Sequence, residues 1–146
     1  MQLFIASDHA GFDLKEELKK NFPQINWFDL GTHSKDSTPY PQHSQKLCEK
    51  ILEQKRSSSL TEPQGILICG SGVGVSMQAN RFKGIRAALC WNEEVAKLSR
   101  QHNASNVLCL GARLISVQMA CSILKTWLET SFESGRHLER IKMMDL

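Results

Sequence analysis

Short apolar runs alternate along the chain with longer stretches of helical periodicity. Leu3-Phe4-Ile5-Ala6 is continuously apolar, as a strand buried on both faces would be. From Phe12 to Phe22 the period changes: Leu14, Leu18 and Phe22 recur every fourth residue, an amphipathic stripe that Pro23 ends. Ile25 to Leu30 returns to a strand pattern, closed by Gly31. Thr32 to Pro41 is polar, with a proline on each side of Tyr40, and reads as a loop. Gln42 to Gln54 predicts a second helix with Leu47, Ile51 and Leu52 inward, and the polar segment Lys55 to Gln64 predicts a projecting surface loop. Gly65 to Cys69 is the third apolar run, and a short helix follows from about Val75 to Asn80. Gly84 to Cys90 and Asn106 to Gly111 predict two more strands. Between them Glu93 to about Gln101 predicts a helix with an acidic first turn, punctuated by Asn92 or Asn103. Ser116 caps a long helix carrying Ala120, Leu124, Trp127 and Leu128 on one face, and the basic tail from Gly135 to Ile141 is partly helical.

Strands alternating with helices imply an α/β fold, with a five-stranded parallel sheet covered on both faces. At 146 residues the chain fits a single domain, residues 1–146, and shows no internal repeat. Ligands of open α/β sheets sit outside the strand carboxyl ends, where the strand order reverses. That rule gathers Asp8–Gly11, Tyr40, Cys69–Gly74 and Gly111–Arg113 along one edge.

Composition narrows the classes. Hydrophobic residues make up 41% and charged residues 23%, which is globular. A net charge of +3 with scattered basic residues argues against a nucleic-acid partner. No apolar run is long enough for a bilayer, and the amino-terminal residues lack a basic-then-apolar leader pattern, so a cytoplasmic location is the default expectation. Among Cys48, Cys69, Cys90, Cys109 and Cys121 there is no C-x-x-C pair, and four lie in or beside apolar segments as small buried hydrophobes do. No His, Cys, Asp or Glu group has metal-ligand spacing.

The exception is Cys69, which opens Gly70-Ser71-Gly72-Val73-Gly74. Glycines between a strand and a helix let amide N–H groups face an anion, although the same sequence also serves as a plain tight turn. The Lys-Ser/Thr ending of a P-loop is missing. A cysteine at a helix start favours thiolate, a nucleophile or a base. Asp8-His9 follows the first strand, where Asp8 either caps the next helix or contacts a hydroxyl while His9 meets an anion. His102 in Arg100-Gln101-His102-Asn103 either answers a helix dipole or acts as acid and base. Arg136 and Arg140 share a helical face, as a solvated pair or a phosphate clamp, and Arg113 adds a third guanidinium.

In chain order, Ser7-Asp8-His9-Ala10-Gly11, Tyr40-Pro41, Cys69-Gly70-Ser71-Gly72-Val73-Gly74, Gly84-Ile85-Arg86-Ala87-Ala88, Arg100-Gln101-His102-Asn103, Asn106 to Arg113 and Gly135-Arg136-His137 resemble the ribose-5-phosphate isomerase B family, which includes the related galactose-6-phosphate isomerase subunits. The resemblance implies a Rossmann-like three-layer sandwich and a homodimer or tetramer with active sites shared between subunits. It implies interconversion of ribose 5-phosphate and ribulose 5-phosphate in the pentose phosphate pathway, without metal or other cofactor. By this resemblance Cys69 carries the proton between C1 and C2, and Ser71 assists at the sugar oxygens. The amides from Gly70 through Gly72 and Val73 to Gly74, with Asn103, form the anion hole, and His102 opens the furanose. Asp8 and Tyr40 contact hydroxyls. His9, Arg113, Arg136 and Arg140 hold the phosphate, the last two from the neighbouring subunit, which the 136–146 tail reaches. Some members use a glutamate base, but Val75 and Ser76 leave no acid past this loop, so Cys69 is the candidate.

Three rivals stand beside this reading. One is an isomerase of a six-carbon sugar phosphate, such as allose or galactose 6-phosphate. A non-catalytic sugar-phosphate sensor would need the clamp but not Cys69 with His102. A nucleotide-binding regulatory domain is disfavoured by the position of the glycine loop and by the lack of a ribose-binding acid after the first helix.

Overall fold

The computed structural model describes residues 1–57 and 62–145. Strands β1 (Gln2–Ser7), β2 (Asn26–Asp29), β3 (Gly65–Cys69), β4 (Ala87–Leu89) and β5 (Val107–Gly111) form one parallel sheet in the order β2-β1-β3-β5-β4. The helices are α1 (Phe12–Asn21), α2 (Tyr40–Ser57), α3 (Val73–Ala79), α4 (Glu93–Asn103), α5 (Val117–Glu129) and α6 (Arg136–Met144).

The two-residue period of the strands divides the core. Leu3, Ile5, Ile66, Ile68, Leu108 and Leu110 pack on one face with Leu14, Leu18, Ala96, Ile123 and Trp127 from α1, α4 and α5. Phe4, Ala6, Leu67, Cys69, Val107 and Cys109 pack on the other with Leu47, Ile51, Val75 and Ala79 from α2 and α3. The result is the three-layer α/β sandwich expected. Cys69 belongs to the α2–α3 face at the carboxyl end of β3, in register with Gly111.

The chain runs from β1 outward to β2, then crosses to β3 on the other side of β1. The order reverses between β1 and β3, so the loops after these strands flank the crevice. Asp8 N–H donates to the Ile68 carbonyl at 3.2 Å, tying the two loops together. A buried ion-pair network supports the neighbouring loop. Lys15, fully buried, donates to Asp29 Oδ1 at 2.7 Å and to the Thr32 carbonyl, and the Gly31 N–H also donates to Asp29 Oδ1.

Several boundaries differ from the hydrophobic pattern. The expected loop through Pro41 ends earlier, because α2 starts at Tyr40. Pro41 sits in the first turn, where a missing N–H costs nothing. β4 is confined to Ala87–Leu89, since Gly84 turns at φ 87° and Asn106 Oδ1 takes the Arg86 N–H. Asn92, not Asn103, caps α4, accepting from Val95 N–H; α4 runs on through Asn103. Ser116 caps α5 as expected, accepting from Met119 N–H. The tail is helical from Arg136 to Met144 and buries His137 and Ile141. Lys55–Ser57 are the end of α2, and the expected excursion otherwise falls largely on residues outside those described. Among the described residues no helix is long and apolar enough to cross a membrane.

Candidate active site

Asp8, Tyr40, Cys69, Gly70, Ser71, Gly74, Arg113 and Leu114 line a cleft of about 290 Å³ at the carboxyl edge of the sheet. A larger cavity of about 460 Å³ lies at the amino edge, among Arg81, Lys83, Arg86, Asn103 and Asp145. The smaller one holds a nucleophile, a carboxylate and a guanidinium together, and we take it as the catalytic candidate.

Cys69 is buried, and its Sγ accepts the Gly72 N–H at 3.1 Å. That bond fixes the thiol at the mouth of the loop with a donor suited to negative charge on sulfur. Gly72 adopts φ 76°; a Cβ there would also come within 2.5 Å of Leu89 Cδ1 and 2.9 Å of the Leu110 backbone. Only glycine reconciles this loop with β5 behind it. The Val73 N–H donates to Ser71 Oγ at 3.3 Å, a longer bond on an exposed hydroxyl. Two of the loop amides are thus engaged within the loop itself. Burial pushes the Cys48 thiol up to about 12 and the Cys90 thiol up to about 11, and raises those of Cys109 and the half-buried Cys121. They remain thiols, as their apolar surroundings in the sequence imply.

Asp8 is buried, and its Oδ1 accepts the Gly11 N–H at 3.1 Å within the turn before α1; Gly11 itself is the N-cap and no side chain caps the helix, so the bond braces the turn rather than capping α1. Asp8 also lines the cleft. Tyr40, at the start of α2, lies over Gly74, where a Cβ would come within 2.6 Å of the ring. Arg113 follows β5; its N–H donates to the Gly70 carbonyl at 3.0 Å, and a Cβ on Gly70 would meet its Nη1 at 2.9 Å. His9 Nδ1 accepts the Thr38 N–H at 3.2 Å, so in the neutral ring the proton sits on Nε2. His9 is not among the residues lining the cleft, and Thr38 and His43 stand beside His9 and Asp8 without a sequence signal of their own. Thr38 Oγ1 lies 3.0 Å from His43 Nε2, and burial depresses the His43 pKa while Asp8 opposes that shift. No spacing rule pairs His9 with Thr38; only the packed loop does.

His102, Asn103, Arg136 and Arg140 are elsewhere. α4 ends at Asn103 and β5 begins at Val107, beside Gly65 at the amino end of β3. A five-residue strand separates that end from Cys69, roughly 13 Å at about 3.3 Å per residue. Within one chain, His102 and Asn103 therefore do not join Cys69 in one site. At the amino edge His102 stacks on His137, ring centroids 4.3 Å apart, with Glu133 beside both. Arg100 anchors this corner, with Nε donating to the Thr130 carbonyl at 3.3 Å and its guanidinium over the Trp127 ring. On α6 the buried pair His137 and Ile141 turns Arg136 and Arg140 to the exposed side. The sequence names His137 without giving it a role and does not single out Glu133. Burial lowers the His137 pKa, and His102, Arg136 and Arg140 lower it further.

A family model described as ribose/galactose isomerase matches residues 3–144. The chain is 39% identical over 137 residues to ribose-5-phosphate isomerase B of Escherichia coli, covering 92% of this chain and 88% of that protein. It superposes on a ribose 5-phosphate isomerase from Thermotoga maritima with a TM-score of 0.92 at 43% identity, over 99% of this chain and 97% of the other. Ribose-5-phosphate isomerase B from Mycoplasma genitalium, solved with ribulose 5-phosphate bound, gives a TM-score of 0.89 at 40% identity, over 98% and 93% of the two chains.

Proposed function

The chain belongs to the ribose/galactose isomerase family and is an isomerase, and from that premise we propose that it interconverts ribose 5-phosphate and ribulose 5-phosphate through an enediolate, with no metal ion in the reaction. The observation that carries this reading is Cys69 beside the Gly70–Gly74 loop, in one cleft with Asp8, Tyr40 and Arg113. Similarity to the Mycoplasma genitalium protein with its bound ribulose 5-phosphate supports the five-carbon substrate.

In this mechanism His9 and Arg113 hold the phosphate, His9 through Nε2–H. Phosphate binding remote from the reacting carbons sets their position against Cys69. Cys69 thiolate takes the proton from C2 of the open-chain aldose. The C2–H electrons form the C1–C2 double bond, and the carbonyl electrons move onto O1. The new oxyanion needs fixed donors. The Val73 N–H, held now only by the 3.3 Å bond to Ser71 Oγ, is available for exchange onto it. Cys69 returns the proton to C1 while O2 becomes the ketone oxygen, Ser71 passing the hydroxyl proton between O2 and O1. Asp8 and Tyr40 orient the remaining hydroxyls.

Ring opening needs a group that both gives and takes a proton. His102 fits that need but stands at the opposite end of its own sheet. We therefore assign His102, Asn103, Arg136 and Arg140 in each site to a second copy of the chain, in a homodimer or a pair of dimers. α6 packs on α4 of its own chain and carries its exposed arginines outward, where a neighbour could meet them. Five free thiols and a phosphorylated substrate fit a reducing cytoplasm.

A coupled assay with ribose 5-phosphate, allose 6-phosphate and galactose 6-phosphate tests the reading. Turnover of ribose 5-phosphate above both six-carbon substrates is expected. Preference for a hexose phosphate would replace the substrate, and inactivity on all three would refute the proposed activity.

A further inference from the structure

His102, Glu133 and His137 bring one ligand atom each within 4.8 Å of one another. His102 Nε2 lies 3.9 Å and His137 Nε2 3.8 Å from the same atom, Glu133 Oε2. Both contacts exceed hydrogen-bond length. Two imidazole nitrogens thus flank one carboxylate oxygen. Around a tetrahedral ion with bonds of about 2.05 Å, neighbouring ligand atoms would stand about 3.4 Å apart, so each histidine nitrogen would close on Glu133 by about half an ångström and the two histidine nitrogens, within 4.8 Å of each other, by up to about 1.4 Å.

The three residues come from three segments: the last turn of α4, the link before α6, and the first turn of α6. The fold pins these together without any metal. The Glu133 N–H donates to the Gln101 carbonyl at 3.0 Å, and the His137 N–H to the Ser134 carbonyl at 3.1 Å. Burial holds His137 in place, while His102 and Glu133 are half-exposed in the single chain, on the side of the exposed arginines assigned above to a neighbour. The two rings are stacked with 13° between planes, so ligation requires them to splay, a rotation His102 at a helix end can make. Sequence spacing hides the group because Glu133 lies 31 positions after His102.

We propose that His102, Glu133 and His137 bind a divalent transition-metal ion of the zinc class, and that the bound ion silences the isomerase by occupying His102. Arg136 and Arg140, on either side of His137, oppose any cation. Binding must come from ligand bonds rather than from field, which selects an imidazole-seeking ion over calcium or magnesium. Three protein ligands leave a fourth position for water. The binding half stands on geometry alone; the silencing half rests on the assignment of His102 to ring opening.

Cobalt(II) is the probe, because tetrahedral cobalt absorbs in the visible. Wild-type protein titrated with cobalt is expected to develop that absorption, and zinc to abolish it. Cys69→Ala should retain the signal. Glu133→Ala, a change at an exposed position, should weaken binding by more than about 100-fold, since even outer partners of metal ligands cost tenfold to 100-fold. Zinc should inhibit wild type and spare Glu133→Ala, each relative to its own metal-free rate. No visible absorption, full retention in Glu133→Ala, or loss in Cys69→Ala with a sulfur-to-cobalt band would overturn the site. Binding at the site without inhibition would uphold the site and overturn the silencing, and with it the role of His102. Ordinary inhibition of both proteins would place the inhibitory ion elsewhere.

Discussion

Cys69 and His102 stand at opposite ends of one sheet, Cys69 at the carboxyl end of β3 and His102 just before the amino end of its neighbour β5. If both act on one sugar, they come from different chains. Cys69→Ala and His102→Ala should then be inactive separately and partly active when mixed. Each mixed dimer has one site with both groups and one with neither. Random exchange makes about half the dimers mixed, so recovery should approach about a quarter of wild-type activity. Absence of recovery, with subunit exchange verified by mass spectrometry of differently tagged chains, would show that the site is not shared.

The Gly72 N–H on Cys69 Sγ makes a second test specific to the sulfur. Cys69→Ser keeps an acceptor for that amide but offers a far weaker base. We expect kcat to fall by about 10²- to 10⁴-fold, the usual worth of general acid–base catalysis. Binding of a sugar-phosphate inhibitor by calorimetry should be nearly unchanged, because the phosphate contacts proposed above, His9 and Arg113, do not involve the sulfur. Near-normal turnover in this variant would remove Cys69 as the base.

The carboxyl-edge cleft is legible in the amino-acid sequence, and the arrangement at the amino edge is not. Leu3 to Ala6 and Gly65 to Cys69 announce buried strands by composition, and the crevice rule then places Asp8, Cys69 and Arg113 together. His102 carries no such information. Its chemistry reads the same whether its helix ends beside Cys69 or at the far edge, and only the sheet register decides. The same holds for Glu133 and His9, whose partners Gln101 and Thr38 are long-range backbone contacts without periodicity. Tyr40 is legible as a site residue but not as a helix start, because prolines on both sides mark a loop as readily as a first turn.

Asp29 supplies a pH dependence with a definite sign. Burial raises its carboxyl pKa, but hydrogen bonds from Lys15, Lys19 and the Gly31 N–H outweigh that and hold it below its ordinary value of 3.8. In acid the unfolded chain therefore binds the proton first. Stability from this group is full above about 3.8 and drains as pH falls through the folded value. Asp29→Asn should flatten acid unfolding in that window, followed by circular dichroism. Near neutral pH, Asp29→Ala should cost about 3 kcal/mol, because Lys15 would stay buried with its charge poorly answered. An acid-unfolding curve identical to wild type would deny the network this role.

His9 separates phosphate anchoring from chemistry. Its Nδ1 is committed to the Thr38 N–H at 3.2 Å, so Nε2–H is the donor left for an anion. Glutamine places an amide N–H near the position of Nε2, whereas asparagine places one near Nδ1. His9→Gln should therefore outperform His9→Asn. A lost hydrogen bond to a charged group is worth about 1.5–3 kcal/mol, so His9→Asn should lose about tenfold to a hundredfold in kcat/KM. The phosphate carries the same charge in substrate and transition state, so the loss should fall mainly on KM. Inhibition by inorganic phosphate should weaken in parallel, and any slow turnover of unphosphorylated ribose should be insensitive to the change. Equal kinetics for the two variants, or an effect on ribose as large as on its phosphate, would place His9 outside the phosphate site.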